Sequence, residues 1–258
     1  MSRCLVLQSA SDAQAATPWL ARCLASVEAW AQACGADYAF HGDAALAKAP
    51  DWYRDKAGEK IPVVTDLVRL LLIEEALAEA YDVALWLDAD FFVAAPDRFR
   101  PVDAPGGFAV GREVWVDVDP KRPGRLKTWR GPHNACLMVR RGDPRLPFLI
   151  HATETLIAKA DPAGIAPQMV GPKLLKALQP FADWTLLPEA GALSPPVLAD
   201  LAAGDGPISA PAPAPAWERF RRDSRPLPAG VNLCWSLTAD RAEAAMIRAM
   251  ETMKVFLS

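Results

Sequence analysis

The sequence predicts a single α/β domain whose mixed sheet is flanked by helices, and three observations carry that prediction. Strand-like and helix-like stretches alternate through the first half of the chain, which requires right-handed crossovers between parallel strands. The run Val83-Ala84-Leu85-Trp86-Leu87 is apolar without alternation, as a central strand buried on both faces must be. The chain has 258 residues, 52% hydrophobic and 23% charged, which suits one large domain with a real core.

Cys4–Gln8 is the first expected strand. Pro18–Cys34 follows with helical spacing of its apolar residues; Pro18 suits a first turn and Gly35 a C-cap. Asp37–His41 is a second short strand. A loop rich in Asp, Lys and Gly, Gly42–Lys60, leads to Pro62 and a helix over 63–80. In that helix Val64, Leu67, Val68, Leu71, Leu72 and Ala76 recur at three- and four-residue steps. The central strand, 83–88, comes next.

Beyond Asp90 the pattern loosens. Phe108–Gly111 and Ala135–Val139 are expected strands separated by a polar stretch, Asp117–His133; Leu146–Ala160 and Pro172–Leu178 are expected helices. A run rich in Pro and Ala opens an expected surface loop over 203–230. Arg241–Lys254 is the closing helix. No internal repeat is present. Too few residues follow the Pro/Ala run for an independent unit, so one domain is expected over residues 1–258.

Charge and composition narrow the function. A net charge of −3 with dispersed basic residues argues against a general nucleic-acid binder. The five cysteines are an odd, widely spaced set with no Cys-x-x-Cys, the usage of a reduced chain without structural zinc. Arg3-Cys4-Leu5-Val6-Leu7 begins a strand where a signal peptide would carry a long apolar core. No apolar run approaches the ~18 residues that span a bilayer. A cytoplasmic protein is expected, with peripheral contact at the inner face of the membrane left open. Trp217-Glu218-Arg219-Phe220-Arg221-Arg222 is read either as a solvated basic loop or as that contact.

The chemistry starts at Asp88-Ala89-Asp90, which closes the central strand. Two carboxylates beside an apolar strand are costly unless something compensates their charge. Alternation along a strand places Asp88 and Asp90 on one face, where both can approach one ion. Hard divalent cations such as Mn²⁺ and Mg²⁺ favour carboxylate oxygen. The bland account is a solvated turn. In the preceding helix, Thr65 is a candidate N-cap, Asp66 lies near the positive helix end, and Asp66 and Arg69 share one side. They are either a capping residue and a surface ion pair or a sugar-orienting pair.

Thr65-Asp66-Leu67-Val68-Arg69 followed by Trp86-Leu87-Asp88-Ala89-Asp90 resembles the Ser-Asp-x-x-Arg…Asp-x-Asp signature of retaining GT-A glycosyltransferases with a sugar-binding Asp-x-Asp region. That group includes mannosyltransferases, lactosylceramide galactosyltransferases, bacterial capsular-polysaccharide transferases and glucosylating toxins. The stretches His133–Met138, Asp143–Phe148 and Gly171–Leu178 are similar to further elements of the group. The likeness covers roughly residues 60–180. It implies a GT-A-like, Rossmann-like sheet, a nucleotide-diphosphate sugar as donor, and transfer of a hexose with retention. It also implies Asp66, Arg69 and Asp90 in catalysis, and Mn²⁺ or Mg²⁺ on Asp88 and Asp90.

There are departures. Ala76–Asp82 replaces the Gly-Gly turn usual before the Asp-x-Asp strand, and Lys60-Ile61-Pro62 is similar to a helix start found in other Asp-x-Asp transferases. Asn232 stands where the group often carries a metal-binding histidine, which makes it the expected third ligand, with Trp235 one place late.

The remaining candidates follow from position. Gln8, Ser9 and Ala10 end the first strand, where an α/β sheet presents either an ordinary turn or a nucleotide-binding loop. With Asp66, Arg69, Asp88, Ala89 and Asp90, Gln8 and Ser9 complete the expected donor site. Trp52, Tyr53 and Arg54 are available to cover a base or an acceptor, or belong to the core. Trp129, Arg130, His133 and Asn134 are the expected contacts to a glycan or glycolipid acceptor. His133 and His151 are alternative metal ligands, and His41 has no expected role.

Two competitors remain. A phosphatase with an aspartyl nucleophile wants its Asp-x-Asp on the first strand before a small hydroxyl residue, whereas Phe91-Phe92 follow here. A catalytically silent module binding glycans or a partner keeps the same fold.

Overall fold

The structure, a computed structural model, describes residues 2–203, 214–238 and 242–257. Its elements are, in chain order, β1 (Cys4–Ser9), α1 (Asp12–Ala15), α2 (Pro18–Ala33), β2 (Asp37–His41), α3 (Asp51–Ala57), α4 (Ile61–Glu79), β3 (Val83–Leu87), β4 (Phe91–Val93), β5 (Phe108–Val118), β6 (Leu126–Arg140), α5 (Arg145–Lys159), α6 (Pro172–Leu178), β7 (Thr185–Leu187), β8 (Ala190–Ala192), α7 (Pro195–Ala202), α8 (Pro215–Asp223), β9 (Gly230–Asn232), α9 (Trp235–Thr238) and α10 (Glu243–Leu257).

The main sheet has six strands in the order β2-β1-β3-β6-β5-β7. β1 runs parallel to both β2 and β3, whereas β6 is antiparallel to β3 and β5, so the sheet is mixed as the sequence predicts. A small second sheet, β4-β9-β8, adjoins it. The central strand ends at Leu87, one residue short of its expected end, so strand alternation does not relate Asp88 to Asp90. Asp88 accepts the Phe91 N–H at 2.9 Å in a tight turn, and the chain leaves one sheet for the other at the acid pair.

Alternation along β1 and β3 sorts the core. Leu5, Leu7, Ala84 and Trp86 pack under α4 and α5, while Val6, Val83, Leu85 and Leu87 pack with Val27 and Trp30 of α2. A third cluster joins α2, α7, α8 and α10 around Trp217, Phe220 and Met250. One domain results.

Several expectations need correction. Helix α4 begins at Ile61, because Pro62 is pre-set for a first turn. Thr65 therefore lies inside the helix, its hydroxyl donating back to Ile61 O at 3.1 Å, and it caps nothing. The expected loop before Pro62 contains α3, in which Tyr53 is fully buried and donates to Val63 O at 3.2 Å. The polar stretch 117–133 is largely strand, since β5 and β6 form one long hairpin. Within the expected 203–230 loop, residues 204–213 lie outside the described residues, and Pro215–Asp223 is helix α8. Trp217 and Phe220 sit three apart on its buried face, their rings stacked at 5.7 Å, so neither aromatic is available to a membrane.

Candidate active site

Helix α2 covers one face of the sheet beside β1, and α4, after β2, covers the other. Connections that leave on opposite sides open a crevice at the carboxyl ends of the strands. A cavity of about 260 Å³ lies there. Ser9 at the end of β1 with Ala10 and Ser11 after it, Gly42 and Asp43 after β2, and Asp88 to Asp90 after β3 line it. Expected donor-site residues Ser9, Arg69, Asp88, Ala89 and Asp90 thus share one cavity.

Arg69 organises its floor. The guanidinium lies 3.0 Å from Asp66 Oδ1 and 3.0 Å from Asp88 Oδ1, and donates to the Asn134 carbonyl at 2.6 Å. It also stacks 5.4 Å from the centre of the Trp86 ring. Asp66 takes a second bond, from Asn134 Nδ2 at 2.7 Å. The Asp66–Arg69 pair is therefore no surface ion pair: its side chains are 5% and 7% exposed. Burial pushes the Asp66 carboxyl up to about 6 against the pull of Arg69.

Asp88 is held from three sides. Its Oδ1 also accepts the Trp86 indole N–H at 2.6 Å, and its carbonyl accepts Gln8 Nε2 at 3.0 Å. Gln8, fully buried and anchored by the Tyr38 hydroxyl at 3.0 Å, orients the acid turn; it does not line the cavity. Asp90 is buried and accepts Asn232 Nδ2 at 2.6 Å. The Asn232 oxygen takes the Cys234 N–H at 2.9 Å. Asn232 thus sits beside Asp90 as a hydrogen-bond donor, with its own oxygen taken by a backbone N–H.

The β5–β6 register explains Asn134. Val110 pairs with Leu137 and Gly111 with His133, so the residues between bulge out of β6. Bulges re-aim side chains, and this one turns Asn134 onto Asp66 and its carbonyl onto Arg69. Asn134 was expected at the acceptor and belongs to the Asp66 network.

The other acceptor candidates are dispersed. His133 is 3% exposed, with Nε2 at 3.1 Å from Ala190 O. Desolvation lowers its pKa to about 4, and Nδ1 has no partner among the described residues. It is a neutral core histidine outside the cavity lining. Trp129 lies on the β6 arm under Lys127, and exposed Arg130 pairs with Asp223. His151 is on α5 beside Thr155, outside the cavity lining. Trp86 and Gly171 were missed as site residues. Trp86 stands two before Asp88, hence on the same face, and period-two spacing could have found it.

Among the described residues no three His, Cys, Asp or Glu side chains gather as a metal cluster. The cavity nonetheless suits a cation on charge. Asp43, Asp88 and Asp90 line it against Arg69 as the one cation among the described lining residues.

No family model and no curated protein sequence matches this chain. Among solved structures it is similar to a glycosyltransferase involved in glycosylation of the major capsid of PBCV-1, at 12% identity and TM-score 0.47, covering 96% of this chain and 99% of that one. It is also similar to the glycosyltransferase GlyE of Streptococcus pneumoniae TIGR4, at 12% identity and TM-score 0.40, covering 97% of this chain and 60% of that one. No helix among the described residues is long and apolar enough to cross a membrane.

Proposed function

We propose that this chain is a GT-A-like glycosyltransferase that moves a hexose, with retention, from a nucleotide-diphosphate sugar to a glycan or glycolipid acceptor. The observation that carries the reading is the buried Asp66–Arg69 pair behind an acid-lined cavity at the carboxyl edge of parallel strands, joined through Arg69 to the half-buried Asp88 that lines it. Asp88 and Asp90 would hold Mn²⁺ or Mg²⁺, which supplies charge neutralisation for the diphosphate leaving group. Ser9 and the turn after β1 border the nucleotide. Arg69 holds Asp66 and Asp88 in fixed positions, so that donor hydroxyls meet a preset acceptor array with little reorganisation.

Calorimetry of UDP- and GDP-sugars with and without Mn²⁺ tests this reading. Metal-linked nucleotide binding is expected, together with metal-dependent hydrolysis that Asp88→Ala/Asp90→Ala abolishes. Unchanged hydrolysis by that variant sinks the mechanism.

One observation favours a catalytically silent module that binds glycans or a partner. Arg69 already pairs with Asp88, and Asn232 already bonds Asp90, so the acids have partners within the protein. A silent module shows no metal-linked nucleotide binding in the same titrations.

A further inference from the structure

A second cavity, of about 560 Å³, lies between the turn of the β5–β6 hairpin and helix α8. Five cations line it: Arg122, Arg125 and Lys127 from the hairpin, Arg219 and Arg222 from α8. Two carboxylates, Asp119 and Glu218, also border it, and both are engaged. Asp119 Oδ1 accepts the Lys121 N–H at 3.0 Å, and Glu218 pairs with Arg221 at 3.2 Å.

The α8 cations are aimed. Asp223, whose side chain is 14% exposed, takes Arg219 Nε at 2.6 Å and Arg222 Nε at 3.4 Å, and Thr128 braces Arg219 at 2.9 Å. Holding a guanidinium by its Nε edge leaves the forked Nη end to face outward. Arg122 and Arg125 make no side-chain hydrogen bond or ion pair among the described residues, and five cations against two lining carboxylates leave the groove positive on a protein of net charge −3. Forked donors converging on one concave site match tetrahedral oxyanions, which accept paired N–H bonds.

We propose that this groove is a phosphate-binding site, distinct from the acid-lined cavity and independent of the transfer reading. The same phosphate chemistry is offered by an anionic lipid headgroup and by a soluble phosphorylated ligand, and two arms separate them. In the first, the full chain in EDTA is sedimented with vesicles of phosphatidylglycerol and, as control, phosphatidylcholine. In the second, it is titrated calorimetrically with inorganic pyrophosphate, again in EDTA so that no cation bridges to Asp88 and Asp90. Binding in at least one arm is expected, weakening steeply with added salt.

Arg122→Glu/Arg125→Glu is expected to weaken that binding by about tenfold or more, the loss of at least one charge-assisted contact. Both residues are exposed in a turn and brace nothing, so the melting temperature should hold; Arg122→Gln/Arg125→Gln should give an intermediate loss. Binding to phosphatidylglycerol alone assigns the site to a lipid headgroup, and binding to pyrophosphate alone to a soluble ligand. Binding in neither arm, or equal binding by wild type and both variants, overturns the proposal.

Discussion

Arg69 bonds Asp88 across the cavity floor: Nη1 lies 3.0 Å from the same carboxylate oxygen that takes the Trp86 indole N–H at 2.6 Å. The other nitrogen of the fork, Nη2, reaches Asp66 at 3.0 Å. One guanidinium thus couples the helix before the central strand to the turn after it. Lysine, a compact point charge, cannot span both acids with a planar fork.

Removing that fork should be severe. Arg69→Ala leaves the Asp66 carboxylate buried without its cation, which costs about 3–5 kcal/mol. Asp66→Asn in the same chain should restore much of the loss, because the neutral amide no longer needs a counter-charge. Urea unfolding of both single variants and the double variant measures the coupling. Strictly additive losses would show that the pair does not act as a unit.

Acid and base sides of stability should pull against each other. His133 is lowered to about 4 from an ordinary 6.5, so between those values the unfolded chain binds a proton that the folded chain refuses. Stability from this residue is complete above 6.5 and is lost on acidification, by up to about 3 kcal/mol near pH 4. Asp66 has the opposite sign. Its carboxyl is raised to about 6 from 3.8, so the folded chain keeps a proton that the unfolded chain has released, and this contribution falls as pH rises from 3.8 through 6. Unfolding from pH 4.5 to 7.5 separates the two. Relative to His133→Gln, the wild type should lose stability on acidification; relative to Asp66→Asn it should gain.

The same Asp66 equilibrium bears on the proposed donor site. A carboxylate that accepts sugar hydroxyl bonds is lost on protonation, so donor affinity should weaken below about pH 6. Asp66→Asn should bind weakly at every pH. Calorimetry from pH 5 to 8 reads both; a variant that keeps the wild-type pH dependence removes Asp66 from recognition.

What the sequence made legible follows from period. The apolar run 83–87 and the three- and four-residue steps of α4 report burial directly, and they located the central strand and the helix that carries Asp66 and Arg69. The acid pair was legible as well, at the end of that strand, whereas the place of Asn232 beside Asp90 was implied only by the family resemblance. The network around the acid pair was not legible. Arg69 meets the Asn134 carbonyl only because β6 bulges, and a bulge leaves no periodic trace. His133 was hidden for another reason: a polar residue in a strand gives no sign of which face it takes, and this one is buried against Ala190. Helix α8 was hidden by the Pro/Ala composition before it, although Trp217 and Phe220 carried its spacing.

Gly171 offers the sharpest steric test of the site. It precedes α6, and a Cβ there would lie 2.4 Å from Asp66 Oδ2 and 2.7 Å from Asn134 Nδ2. Its φ of −99° lies outside the left-handed region but its ψ of −113° is neither helical nor extended, so backbone conformation and close approach both favour glycine here. Neither neighbour can easily give way, because Asn134 and Asp66 are bonded to each other at 2.7 Å and Asp66 is bound to Arg69. Gly171→Ala should therefore push Asp66 off Arg69, at a cost of about 1–3 kcal/mol in unfolding free energy. Donor affinity should fall with it, since the displaced carboxylate is the one proposed to meet the sugar. Gly164→Ala is the control: the same methyl group seven residues earlier would meet no atom within 4 Å. If both variants unfold and bind alike, the close approach of Gly171 does not hold Asp66 in place.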